Sequence, residues 1–156
     1  MRQKGFTLVE LMVVISIAAV LGALGLAGFA SYNKIQLLQT SSNEVVTMLN
    51  LAKSRAQSQI KPSDCVGDLV GYGVKITSLS KYTLFIRCSE EPEDDEIKGQ
   101  IRTLPSKLAF NSDATFFFPV LTGGVQQAGQ VIISDPDGDS QKIIEIDSLG
   151  RVIIVE

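Results

Sequence analysis

The residues able to do chemistry in this chain are few, and their kinds narrow the field. Histidine is absent from the 156 residues, so no imidazole serves as a general base or metal ligand. No P-loop appears, and no serine stands in a nucleophile-elbow setting. An enzyme is therefore not expected, and no cofactor is implied. Cys65 and Cys88 allow either one intramolecular disulfide or two buried thiols, and the compartment decides between them. Asp135, Asp137 and Asp139 alternate in DPDGDS like the start of a calcium loop. The glycine, however, falls between the second and third acid, and no glutamate follows at the EF-hand distance. An Asp-Gly turn between two apolar runs is the first reading, with calcium the sharper alternative. The stretch Glu90-Glu91-Pro92-Glu93-Asp94-Asp95-Glu96 is almost wholly acidic. Self-repulsion and Pro92 predict a solvated loop, against a cation or basic-partner site. One further acid, Glu10, lies at the start of a long apolar run.

That run sets the compartment. From Leu11 to Ala30 the single polar residue is Ser16. A helix of this length spans roughly 30 Å, a bilayer core. Arg2 and Lys4 precede it, and the next charge is Lys34. This bias holds the N-terminus in the cytoplasm and exports the remainder. A cleaved secretory signal has a shorter core, about 7–15 residues, so a retained helix is expected. An acid at the bilayer centre costs about 2.5–3.5 kcal/mol or more, so Glu10 requires a compensating partner. Ala19, Ala23 and Ala27 repeat at four-residue spacing, as do Ala18 and Gly22. Small residues allow close helix approach in lipid, although they are common in any membrane helix. On the exported side a Cys65–Cys88 disulfide becomes the expected state, closing a loop worth roughly 3 kcal/mol.

Beyond the apolar run the helix pattern continues. Ile35, Leu38, Ser42, Val45, Leu49, Ala52 and Ala56 fall on one stripe. Pro62 predicts a helix from Phe6 to Gln59, with Ile60 and Lys61 already leaving it. Thereafter the period shortens. Apolar alternation marks Tyr72–Ile76, Tyr82–Cys88, Gln100–Leu104, Leu108–Phe110, Ala114–Phe118, Gln130–Ser134, Lys142–Asp147 and Arg151–Val155. Six to eight short, largely antiparallel strands are expected to pack on the exported half of the helix. The fold class is α+β: a long N-terminal helix on a C-terminal, largely antiparallel β domain. The expected divisions are a leader over 1–5, a transmembrane helix half over 6–32, an amphipathic half over 33–61 and a β-rich domain over 62–156.

The stretch Lys4-Gly5-Phe6-Thr7-Leu8-Val9-Glu10 and its apolar continuation resemble the class III signal of type IV pilins and type II secretion pseudopilins. The resemblance implies a cut between Gly5 and Phe6 by prepilin peptidase and N-methylation of Phe6. It also implies that Glu10 faces the terminal amine of a neighbouring subunit during assembly. A buried pair of this kind fixes register more dependably than it adds stability. Implied partners are the peptidase, other pilin subunits through the N-terminal helix, an inner-membrane assembly platform and lipid. The chain would start as a single-pass inner-membrane protein and end in a pilus or periplasmic pseudopilus.

A narrower resemblance is carried by MLNLAKSRAQSQ, by ATFFFPVLTGG and by the closing QVIISDPDGDSQKIIEIDSLGRVIIVE with Gly150-Arg151. These resemble GspH/FimT-like minor pilins, with Lys53 and Arg55 shifting the usual basic position. The resemblance implies a structural filament subunit, with a DNA-binding pilin of DNA uptake as the alternative. For that role Arg151 is the candidate contact, yet Val152-Ile153-Ile154-Val155-Glu156 follows it. The net charge is -3, and loss of Arg2 and Lys4 makes the mature chain more acidic. Phosphate binding wants clustered Lys and Arg, so nucleic acid is disfavoured.

Overall fold

A computed structural model describes residues 7–77, 79–89, 97–136, 138 and 140–155, without the side chains of 24–27, 30, 97 and 98. It forms two compact units, Met1–Leu37 and Leu38–Glu156. Helix α1, Leu8–Gln57, contributes to both.

The first unit is helix. Every described side chain from 7 to 36 is exposed, including Leu11, Val14, Ile17 and Leu21. A helix apolar on all faces needs cover from outside itself. Among the described residues, however, no helix is long and apolar enough to cross a membrane. The transmembrane half expected over 6–32 includes Phe6 and side chains that lie outside the described residues.

In the second unit the helical stripe is buried: Leu38, Ser42, Val45, Leu49, Ala52 and Ala56 are all at most 4% exposed. Ile35, the first member of the expected stripe, is 52% exposed and belongs to the other unit. Buried Ser42 satisfies its hydroxyl by donating to the Leu38 carbonyl at 2.9 Å. Full burial of a Val or Leu contributes roughly 1.5–3 kcal/mol. That exceeds the few tenths separating most helix propensities, so packing fixes this half of the helix.

The helix ends at Gln57 rather than the expected Gln59. Gln59 adopts a left-handed φ of 50°. Its N–H donates to Ala56 O at 3.3 Å, and Ile60 N–H donates to Arg55 O at 3.2 Å. This is the Schellman pattern, with glutamine where glycine is usual.

The expected β-runs all appear as strands: β1 Leu69–Ile76, β2 Lys81–Cys88, β3 Ile97–Thr103, β4 Ala109–Phe110, β5 Ala114–Pro119, β6 Gly129–Ser134, β7 Gln141–Ile146 and β8 Val152–Val155. Among the described residues every strand pairing is antiparallel. They separate into two four-stranded sheets, β3-β2-β1-β5 and β4-β6-β7-β8. In the first, Leu84, Val74 and Phe116 form one buried row across three strands. In the second, Val131 pairs with Ile144, and Ile144 with Ile154. The edge-to-face pair Tyr82–Phe110, 5.9 Å between centroids, links β2 to β4.

On the other face of the first sheet, Phe85 is only 1% exposed although it alternates outward with Lys75 and Thr83. Its ring lies over Gly73, where a Cβ would sit 2.3 Å from Cζ. Phe117 stacks beside it at 6.0 Å, and the Arg87 guanidinium covers Phe117 at 4.7 Å. Glycine at 73 thus lets an outward aromatic fold flat on the sheet.

Candidate processing and assembly site

The N-terminal site is built around the start of α1. Thr7 is its N-cap: Thr7 Oγ1 accepts from the Glu10 N–H at 3.3 Å, and the Thr7 carbonyl accepts from the Leu11 N–H at 3.2 Å. Thr7-Leu8-Val9-Glu10 is the T-x-x-E of a capping box. Glu10 thus occupies the first turn, where the helix dipole favours an anion. It is exposed. Gly5 and Phe6 lie outside the described residues. In the sequence the signal for Thr7 is its spacing to Glu10.

The remaining candidates lie in the second unit and do not converge. Cys65 and Cys88 are joined in a disulfide with Cα atoms 5.8 Å apart, both nearly buried. The bond ties the segment after α1 to the end of β2. That segment is also held by Tyr72, whose hydroxyl donates to the Ile60 carbonyl.

Asp135 serves the β6–β7 turn. Its Oδ1 accepts from the Ser140 N–H at 3.3 Å, and its own N–H donates to the Ser140 carbonyl at 3.1 Å. Asp137 and Asp139 lie outside the described residues, as does the acidic stretch 90–96. Among the described residues no group of three acids or cysteines is placed to hold a metal ion.

Arg151 is ion-paired. Its Nε donates to Asp147 Oδ2 at 2.6 Å, and its backbone N–H donates to Asp147 Oδ1 at 2.7 Å. The backbone N–H first, then the guanidinium, lowers the Asp147 pKa below its ordinary value. The preceding turn is anchored to the helix. Lys53 Nζ donates to the carbonyls of Gly150 at 2.9 Å and Leu149 at 3.3 Å. Lys53 was visible in the sequence only as a displaced basic residue. Here it satisfies carbonyls of the Gly-Arg turn. Gly150 has φ +68°, and a Cβ there would lie 2.7 Å from the Gly123 carbonyl oxygen. Gly150→Ala is therefore expected to destabilise the unit by at least the roughly 1–2 kcal/mol of left-handed strain. A urea titration of Gly150→Ala beside Lys53→Met measures the turn and its anchor separately.

A groove beside α1 is lined by Glu44, Met48, Leu51, Tyr82, Gln100 and Arg102. Tyr82 is 1% exposed and lines the groove with Glu44. Burial first, then the Glu44 charge, raises its pKa above 10.0. The folded state thus holds the phenolic proton more tightly than the unfolded chain. Stability is full below pH about 10 and falls as pH rises beyond it. Tyr82→Phe should flatten that alkaline decline in denaturation midpoints measured from pH 8 to 11. Tyr72, raised mainly by burial, leaves a residual slope.

Residues 1–26 match the family model described as the prokaryotic N-terminal methylation motif. Over 84 residues the chain is 32% identical to the type IV major fimbrial protein FimA of Dichelobacter nodosus strain VCS1703A. The aligned part covers 53% of this chain and 49% of that protein. Motif and identity together support the type IV pilin superfamily. The FimA of Dichelobacter nodosus without a strain designation matches at the same identity and coverage. The pilin-like chain spans about half the length of the curated relatives it matches. No solved structure matches it. The capped helix start and Glu10 lie inside the methylation motif, whereas the disulfide and the Gly-Arg turn lie outside it.

Proposed function

We propose that this chain is a structural subunit, a minor pilin or pseudopilin, of a type IV pilus or type II secretion filament. The methylation motif over residues 1–26 carries the reading. Prepilin peptidase cuts between Gly5 and Phe6, and the new α-amino group of Phe6 is methylated. The exposed apolar residues of the first unit are then covered by lipid before assembly and by neighbouring pilin helices afterwards. Glu10, one helical turn from Phe6, pairs with a neighbour's Phe6 amine. An inner-membrane platform drives assembly, and the β domain faces the exported side. Within this class the closing strands and the Gly-Arg turn fit a GspH/FimT-like subunit.

DNA binding is the weaker reading, because Arg151 is already held by Asp147.

The processing step has a direct test. Chain extracted from membranes after co-expression with a prepilin peptidase should have lost residues 1–5 and gained one methyl group by intact mass. An uncut N-terminus under those conditions would overturn the proposal.

A further inference from the structure

Helix α1 begins at Leu8, just past the proposed cut between Gly5 and Phe6. Thr7 holds that boundary. Its backbone is not helical, and its Oγ1 accepts from the Glu10 N–H at 3.3 Å. The first N–H groups of a helix have no carbonyl within the helix to bond. The Leu11 N–H is the first to find one, the Thr7 carbonyl at 3.2 Å. The Thr7 hydroxyl therefore gives the Glu10 N–H a partner that it would otherwise have to seek further up the chain.

The scissile bond lies in that direction. A helical bond from the Glu10 N–H would go to the Phe6 carbonyl, and one from the Val9 N–H to the Gly5 carbonyl. The Gly5 carbonyl is the group that hydrolysis attacks. Water adds at its carbon, the C–N bond to Phe6 breaks, and Gly5 leaves with a carboxylate while Phe6 keeps the amine. Upstream of Thr7, Gly5 is the nearest residue of a type that caps helices well. An apolar run follows the helix start, and in hydrocarbon no water serves an orphan N–H, which favours lengthening of an uncapped helix over fraying.

Granted the processing proposed above, we propose that Thr7 is a positioning residue for the cut. Its cap stops α1 at Leu8 and keeps the Gly5 carbonyl out of the helical ladder, open to the peptidase. The capping bond uses the backbone of Glu10 and not its carboxylate. Glu10→Ala therefore keeps the cap and is cut at the wild-type rate.

The full chain in detergent, incubated with purified prepilin peptidase, gives the readout as an initial cleavage rate. Thr7→Val keeps the shape and β-branching of the side chain and removes the hydroxyl. Loss of an N-cap should slow the cut roughly 2- to 30-fold. Thr7→Ser and Thr7→Asn retain a capping oxygen and should stay within about twofold of wild type. Leu8→Pro added to Thr7→Val should restore the rate. Proline at the first helical position has no N–H to donate and turns the residue before it away from helix, so α1 again starts at residue 8. Asn and Pro together separate capping from direct recognition of threonine, since a peptidase that reads the Thr7 side chain would reject both. A Thr7→Val rate equal to wild type would overturn the proposal, as would slow cutting that neither Asn nor Pro restores. A wild-type chain left uncut would overturn the processing reading itself, a result distinct from either of these.

Discussion

Glu10→Ala is expected to be cut between Gly5 and Phe6 as efficiently as the wild type and yet to be missing from the filament. The scissile bond is untouched by the substitution. Residues 38–156 form their own unit, so the β domain should fold unchanged. The variant also sheds a charge that is costly in hydrocarbon. What it loses is the carboxylate proposed to meet a neighbour's Phe6 amine, which would then be buried alone, typically a penalty of about 3–5 kcal/mol. That corresponds to incorporation reduced by about two to four orders of magnitude.

The capped helix start adds a competing explanation and the means to separate it. Glu10 is the third helical residue after the Thr7 cap, the position of a capping box at which glutamine serves as well as glutamate. Glu10→Gln keeps the box and removes the charge. If Glu10 acts through the neighbour's amine, Gln should fail as Ala does. If it acts by holding the helix start, Gln should restore incorporation. Co-purification with the filament, beside cleavage and membrane-fraction blots for all three chains, decides between them. Normal incorporation of both variants would remove Glu10 from assembly.

The parts of this fold legible in the sequence are those set by period. The stripe Leu38 to Ala56 was visible because burial on a helix demands three- and four-residue spacing. The β-runs were visible because a half-buried strand alternates. What period cannot show is which runs pair. β5 returns to β1 while β4 joins β6, a choice made by connections and tertiary packing. Nor does alternation predict Phe85, which faces outward and is still buried because its ring lies over Gly73 under the cover of its neighbours. Gln59 ended the helix early in a conformation that favours glycine, so the usual punctuation was absent. At the N-terminus the acid drew attention as a charge in an apolar run, and its backbone partnership with Thr7 became apparent only with the helix start defined.

Removing the disulfide should produce the largest loss of stability in the second unit. The bond spans a sequence separation of 23. In the chain-entropy account such a loop restricts the unfolded ensemble by roughly 3 kcal/mol. Cys65→Ala/Cys88→Ala should therefore lower Tm by roughly 10 °C. Side-chain loss alone is a separate contribution, because Cys65 and Cys88 are 5% and 2% exposed and alanine leaves small voids. Reduction of the wild-type chain isolates the cross-link, since both sulfurs stay in place. Calorimetry with and without reductant, beside the double alanine variant, separates the two effects. If the bond stabilises by restricting the unfolded chain, reduction should account for most of the fall and the alanines should add little. A Tm indifferent to reductant, with both thiols alkylated in the denatured chain without prior reduction, would show that the cysteines act only as packed side chains.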